Sequence, residues 1–141
     1  MVRAMPHQIL ILDDHPRIRA CLRELVEAED PLTHVQEATS LSDALVCLGA
    51  KTTVLLAARF GGQGCVAILR SIRGVAPSVS VIVVSALPRD PYALAAICAG
   101  ADAFVSIESV QDELPRLLAG VHERPWTPAP PAIPPETATL V

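Results

Sequence analysis

Residues 8–16 read Gln8-Ile9-Leu10-Ile11-Leu12-Asp13-Asp14-His15-Pro16, four consecutive aliphatic side chains closed by two carboxylates and a proline. Aliphatic residues that do not alternate with polar ones fit a strand buried on both faces, and such strands belong to parallel sheets covered by helices on either side. Immediately downstream, Pro16 to Glu29 carries Ile18, Cys21, Leu22, Leu25 and Val26 at spacings of three and four. That is the stripe of an amphipathic helix with a proline in its first turn.

The same alternation repeats along the chain. A weaker strand is expected around His34 to Ala38, a helix from Leu41 to Leu48 behind a Ser40 cap, and a strand from Thr53 to Ala58. A glycine-rich loop, Gly61-Gly62-Gln63-Gly64, leads to a helix over Val66 to Arg73, and Val79 to Ser85 gives the strongest strand signal in the chain. Tyr92 to Ala99 reads as a helix stopped by Gly100, Ala103 to Ile107 as a fifth strand, and Leu114 to Val121 as a last helix whose start Pro115 delays. Five strand–helix units within about 115 residues predict an α/β fold, a doubly wound, flavodoxin-like three-layer sandwich around a parallel five-stranded sheet. Its ligands would lie beyond the carboxyl ends of the strands.

Composition narrows the function classes. A chain of 141 residues with 51% hydrophobic content fills one core, and only 3% aromatics argues against an aromatic-lined ligand cleft. No apolar run approaches the roughly 20 residues that cross a bilayer, and the N-terminus lacks a signal-peptide pattern, so the expected location is the cytoplasm, away from membranes. Cys21, Cys47, Cys65 and Cys98 fall one to a segment, without the close pairs of metal or redox sites. The net charge of −4 and the scattered arginines give no basic stripe for nucleic acid. No cofactor is expected.

The ordered features I-L-I-L-D-D-H-P, the loop at Arg59 to Gly64, V-I-V-V-S-A ending at Ala86, and A-G-A-D-A-F-V ending at Val105 together resemble the receiver domains of response regulators in two-component phosphorelay signalling. The start is most similar to the NarL/LuxR type, whose receivers precede a DNA-binding helix-turn-helix domain. The resemblance spans residues 7–121. It implies a receiver-like domain over 1–121, a Pro-rich tail or interdomain linker over 122–141, and a possible C-terminal helix-turn-helix domain beyond this chain.

In that family a carboxylate pair after the first strand holds Mg²⁺ together with an aspartate ending the third strand, which accepts the phosphoryl group. A hydroxyl after the fourth strand and a lysine after the fifth contact the phosphoryl oxygens. Carried over by position, Asp13 and Asp14 match the acidic pair, Ser85 the hydroxyl, and Phe104 the aromatic whose rotation reports activation. The acceptor position holds Ala57 and the lysine position Ile107. No shift of alignment restores either one. Between Asp43 and Asp90 the chain has no Asp or Glu, and its only lysine, Lys51, precedes the third strand at the opposite edge of the sheet.

The two losses are coupled, because removing one member of a partly buried ion pair costs roughly 3–5 kcal/mol while removing both preserves the charge balance. With one ligand carboxylate gone, Mg²⁺ binding at Asp13 and Asp14 should be weak at best, and no other metal site is expected. The resemblance therefore implies a pseudo-receiver: no catalytic residues, no enzyme, and signalling or transcription regulation through phosphorylation-independent protein–protein interaction.

Other readings of these residues are bland. Asp14 sits where it would cap the first helix, and Gly61 to Gly64 reads as a flexible loop. A flavodoxin-like nucleotide- or anion-binding domain or small enzyme is the alternative, but the glycines lack a following Gly-Lys-Ser/Thr, and Ser85 has only His15 near its edge as a base. The stretch from Pro91 to Ala101 carries no charge on any face. Tyr92, Leu94, Ala95, Ile97 and Cys98 are therefore expected to form a homodimer interface through the fourth helix, the fifth strand and the fifth helix.

Overall fold

The computed structural model describes residues 7–49, 51–86 and 92–123. In chain order its elements are β1 (Gln8–Leu12), α1 (Pro16–Glu29), β2 (His34–Glu37), α2 (Leu41–Cys47), β3 (Thr52–Ala57), a hairpin of β4 (Arg59–Phe60) and β5 (Gln63–Gly64), α3 (Cys65–Val75), β6 (Ser80–Ser85), α4 (Tyr92–Cys98), β7 (Ala103–Ser106) and α5 (Val110–Glu123). The five long strands form a parallel sheet in the order β2-β1-β3-β6-β7. Every residue of β3 and β6 is buried, as unbroken apolar runs require at the centre of a covered sheet.

Alternation along the strands divides the apolar residues between two cores. Leu10, Leu12, Val54, Leu56, Val81 and Val83 pack with Ala44, Ile68, Leu69, Ile72 and Ala96 of α2, α3 and α4. Ile9, Ile11, Leu55, Ile82, Val84 and Val105 pack on the other face with Leu22, Val26, Leu114 and Leu118 of α1 and α5. The chain passes from β1 outward to β2 and returns to β3 on β1's other side, so the strand order reverses between β1 and β3. A crevice opens beyond the carboxyl ends of two such strands.

Several local expectations hold. Ser40 caps α2 by accepting the Asp43 N–H at 3.1 Å. Gly100, at φ 113°, ends α4, with its own N–H on the Ile97 carbonyl at 3.1 Å and the Ala101 N–H on the Ala96 carbonyl at 3.0 Å.

Two expectations are corrected. The last helix begins at Val110, after a 3₁₀ turn over Ile107–Ser109, and Pro115 lies inside it. Val110, Leu114 and Leu118 are all buried at spacings of four, and burying one such side chain is worth about 1.5–3 kcal/mol. Together they offset a proline that removes one backbone bond. The glycine loop is an ordered hairpin, with Arg59 paired to Gly64 and Phe60 to Gln63. Gly61 and Gly62, at φ 60° and 79°, supply the two left-handed residues that a tight two-residue turn needs.

Arg73 in α3, to which the sequence reading assigns nothing, ties this end of the fold together. Its guanidinium donates to the carbonyls of Gly100 (3.1 and 2.5 Å), Pro77 (3.1 Å) and Val79, and to the Asp102 carboxylate (2.9 Å). Asp102 in turn accepts the Val81 N–H at 2.8 Å. One side chain thereby ties together the connections that follow α3 and α4.

Candidate functional site

The sheet register places the expected pocket residues along one edge. Leu12 pairs with Leu56, Ala57 with Val84 and Ser85 with Ser106, so Asp13, Ala57, Ser85 and Ile107 all stand at or just beyond the carboxyl ends of adjacent strands. Asp13 is 5% exposed, and Ser85 and Ala57 are also buried. Asp14 is exposed.

Both members of the acidic pair are engaged by the chain's own donors. The Asp13 carboxylate accepts the His15 N–H at 2.8 Å, and the same oxygen lies 3.0 Å from Nδ1 of the largely exposed His15 ring. This is a side-chain turn that sets the direction of the chain into α1. Arg19 donates to the Asp13 carbonyl at 2.8 Å and pairs with Glu37 of β2 at 2.8 Å, which braces the same turn from α1. The Asp14 carboxylate reaches across the crevice and accepts the Gly61 N–H of the hairpin at 2.9 Å.

Asp14 is therefore not the cap of α1. That position belongs to His15, which makes no side-chain cap bond. With Pro16 as the first helical residue, Asp14 stands one position too early to reach the free N–H groups of the first turn. The signal for its real partner was the Phe60-Gly61-Gly62-Gln63 sequence, a glycine pair of the kind that closes a two-residue hairpin.

The residues within β7 and just after it diverge. Phe104 is half-buried and packs on the α2–α3–α4 core. Ile107 is half-buried and packs on the α1–α5 core, in the cluster that includes Ile18 and Leu117. The side chain at the expected lysine position thus adds to an apolar layer. On α4, Ala95 and Cys98 are exposed and Ile97 is half-buried against the core, while the side chains of Tyr92 and Leu94 lie outside the described residues. Ala96, between two expected interface residues, is fully buried and faces the core.

This topology and the placement of the acidic pair agree with a family pattern: that of the response regulator receiver domain matches residues 9–119. This chain belongs to the response regulator receiver family. Receiver domains of response regulators are signalling modules and not enzymes. The receiver is 30% identical over 111 residues to the glycerol metabolism activator of Pseudomonas putida, a match covering 77% of this chain and 50% of that protein. It is 31% identical over 113 residues to the nitrate/nitrite response regulator protein NarP of Escherichia coli, covering 77% of this chain and 52% of that one. The chain spans about half the length of these curated relatives. Among solved structures, a LuxR-family two-component response regulator from Aurantimonas superposes with a TM-score of 0.73 at 25% identity, covering 96% of this chain and 94% of the other. None of the described helices is long and apolar enough to cross a membrane.

Proposed function

We propose that this receiver is an atypical one that accepts no phosphoryl group and signals in the cytoplasm by phosphorylation-independent contact between proteins. The observation that carries this reading is the end of β3. The residue placed beside the acidic pair is Ala57, whose methyl group offers neither a nucleophile nor a metal ligand.

The surroundings support it. Ile107 contributes to an apolar layer and brings no cation to the pocket. The residues present do not fit Mg²⁺ either. That ion wants a near-octahedral shell of oxygens, whereas one oxygen of Asp13 is taken by His15, one of Asp14 by the Gly61 N–H, and the third-strand position holds Ala57 and no carboxylate. Without a phosphoryl group to draw the Ser85 hydroxyl, Ser85 and Phe104 have no differential ligand, and their arrangement is set by packing.

The surface for contact is α4 with β7 and α5. Ala95 and Cys98 present an uncharged, exposed pair on α4, and Glu108 and Arg116 are exposed on the elements that follow in the chain. An interface centred there buries an uncharged patch inside a polar rim. The partner is a second copy of the chain. In a longer protein, residues 1–121 would be the regulatory half of a transcription regulator. Residues 122–141, of which 124–141 lie outside the described residues, would link it to a DNA-binding helix-turn-helix domain.

Sedimentation of the full chain tests this reading. The expected result is a dimer at tens of micromolar whose distribution is the same with and without Mg²⁺ and beryllofluoride, with no new Phe104 ring environment by NMR. A monomer in both conditions, or a dimer that forms only with beryllofluoride, would sink it.

A further inference from the structure

The helix that carries the proposed interface, α4, has little apolar surface to hold it in place. Of its described side chains, Ala95 to Cys98, only Ala96 is buried and Ile97 is half-buried, whereas α3, against which it packs, buries Cys65, Ile68, Leu69 and Ile72. Its seven residues are well below the roughly 12–15 at which an isolated helix becomes even marginal in water. Contacts outside the helix must therefore set its pose.

Such contacts stand at its carboxyl end. The N–H groups of Ala99, Gly100 and Ala101 close on the carbonyls of Ala95, Ile97 and Ala96 at 2.9, 3.1 and 3.0 Å, and the Gly100 carbonyl then accepts both Nε and Nη2 of Arg73. The other three N–H groups of this guanidinium go to the Pro77 and Val79 carbonyls and to the Asp102 carboxylate, so all five have an acceptor. Asp102 is itself fastened twice to β6: its carboxylate accepts the Val81 N–H and its own N–H donates to the Val81 carbonyl, each at 2.8 Å. The Arg73 side chain is only 16% exposed, which shields these charge-assisted bonds from water. The fit is close. A Cβ on Gly100 would stand 3.2 Å from Arg73 Nε, and the φ of 113° at that position disfavours any side chain.

We propose that Arg73 is a positioning residue for self-association: through the Gly100 carbonyl and Asp102 it clamps α4 in the pose that presents Ala95 and Cys98 to a second copy of the chain. This rests on the α4 interface proposed above. The clamp lies where β6 and β7 begin, at the end of the sheet opposite Asp13, Ala57 and Ser85. It holds α4 without any group at the carboxyl edge, so the helix is set for its partner whatever happens there.

The test uses the full chain, wild type beside Arg73→Lys and Asp102→Asn. Lysine keeps the charge but has no planar fork, and asparagine keeps an acceptor for the Val81 N–H but loses the ion pair. Amide hydrogen exchange, followed by mass spectrometry on dilute, monomeric chain, should accelerate over 95–101 at least about tenfold more than over 53–57 and 81–85 in Arg73→Lys. Where α4 then holds its pose about a tenth of the time, the dimer dissociation constant rises about a hundredfold, because both copies must be competent. Sedimentation should therefore find Arg73→Lys monomeric at tens of micromolar. Asp102→Asn should move both readouts in the same direction by a smaller factor, and it carries the test if Arg73→Lys does not fold. Acceleration by one factor in all three segments would make Arg73 a stabiliser of the whole fold and overturn the proposal, as would variants that dimerise like the wild type. A wild-type chain that stays monomeric would instead overturn the interface, and the role of the clamp with it.

Discussion

Ala96→Glu should unfold the domain, whereas Ala95→Glu, one residue earlier on the same helix, should leave its stability within about 0.5 kcal/mol and abolish self-association. The contrast follows from helical geometry. Successive residues lie about 100° apart, so α4 can turn Ala95 to solvent while Ala96, at 0% exposure, packs among Leu69 and Ile72 of the α2–α3–α4 core. A glutamate at 96 overfills a close-packed layer, at about 1–3 kcal/mol, and strands a carboxylate with no counterion, at several kcal/mol more. Against a total stability of about 5–15 kcal/mol that is decisive. At 95 the carboxylate stays hydrated in the monomer and is desolvated only if a partner covers it. Urea titration and sedimentation of both variants separate the cases. A normal urea midpoint for Ala96→Glu would refute the packing of α4, and a persisting Ala95→Glu dimer would refute the interface.

The second large effect is expected at the carboxyl edge of the sheet, at positions 57 and 107. Ala57→Asp places a third carboxylate at the edge already occupied by Asp13 and Asp14, with no lysine to balance it, and should cost about 3 kcal/mol. Ile107→Lys alone should also destabilise, by about 1–3 kcal/mol, because it withdraws an apolar side chain from the layer with Ile18 and Leu117. Combined, the two new charges compensate each other, and the double variant should be about 1–3 kcal/mol more stable than the sum of the singles. Strict additivity in this double-mutant cycle would show that positions 57 and 107 do not face one pocket.

The fold was legible because its strands announce themselves. Ile9 to Leu12, Thr53 to Ala57 and Val79 to Ser85 carry apolar side chains on both faces, a pattern with few solutions other than a covered parallel sheet. What escaped was decided by contacts between distant segments. Pro115 predicts a late helix on local grounds, yet Val110 finds a buried place on the α1–α5 core and pulls the helix start back. Asp14 has the right chemistry for a cap, but the alternative donor, the Gly61 N–H, lies 47 residues away. Ala96 belonged to an uncharged helix whose buried side cannot be told from its exposed side when both are small and apolar. Arg73 gave no signal because most of its partners are main-chain carbonyls, which every sequence contains, and its one acidic partner, Asp102, lies 29 residues away. Asp13, Ala57, Ser85 and Ile107 were placed at one edge of the sheet by spacing, and the register agrees with that placement; that Ile107 packs in an apolar layer and that the acidic pair accepts from the chain's own N–H groups was not legible.

Intact-mass spectrometry measures the proposed lack of a phosphoryl acceptor directly. The full chain is incubated with Mg²⁺ and acetyl phosphate, beside a receiver that retains its acceptor aspartate as positive control. The control should gain one phosphoryl group while this chain keeps a single, unmodified mass. A stoichiometric adduct on this chain, labile to acid work-up and mapped to an aspartate, would contradict it.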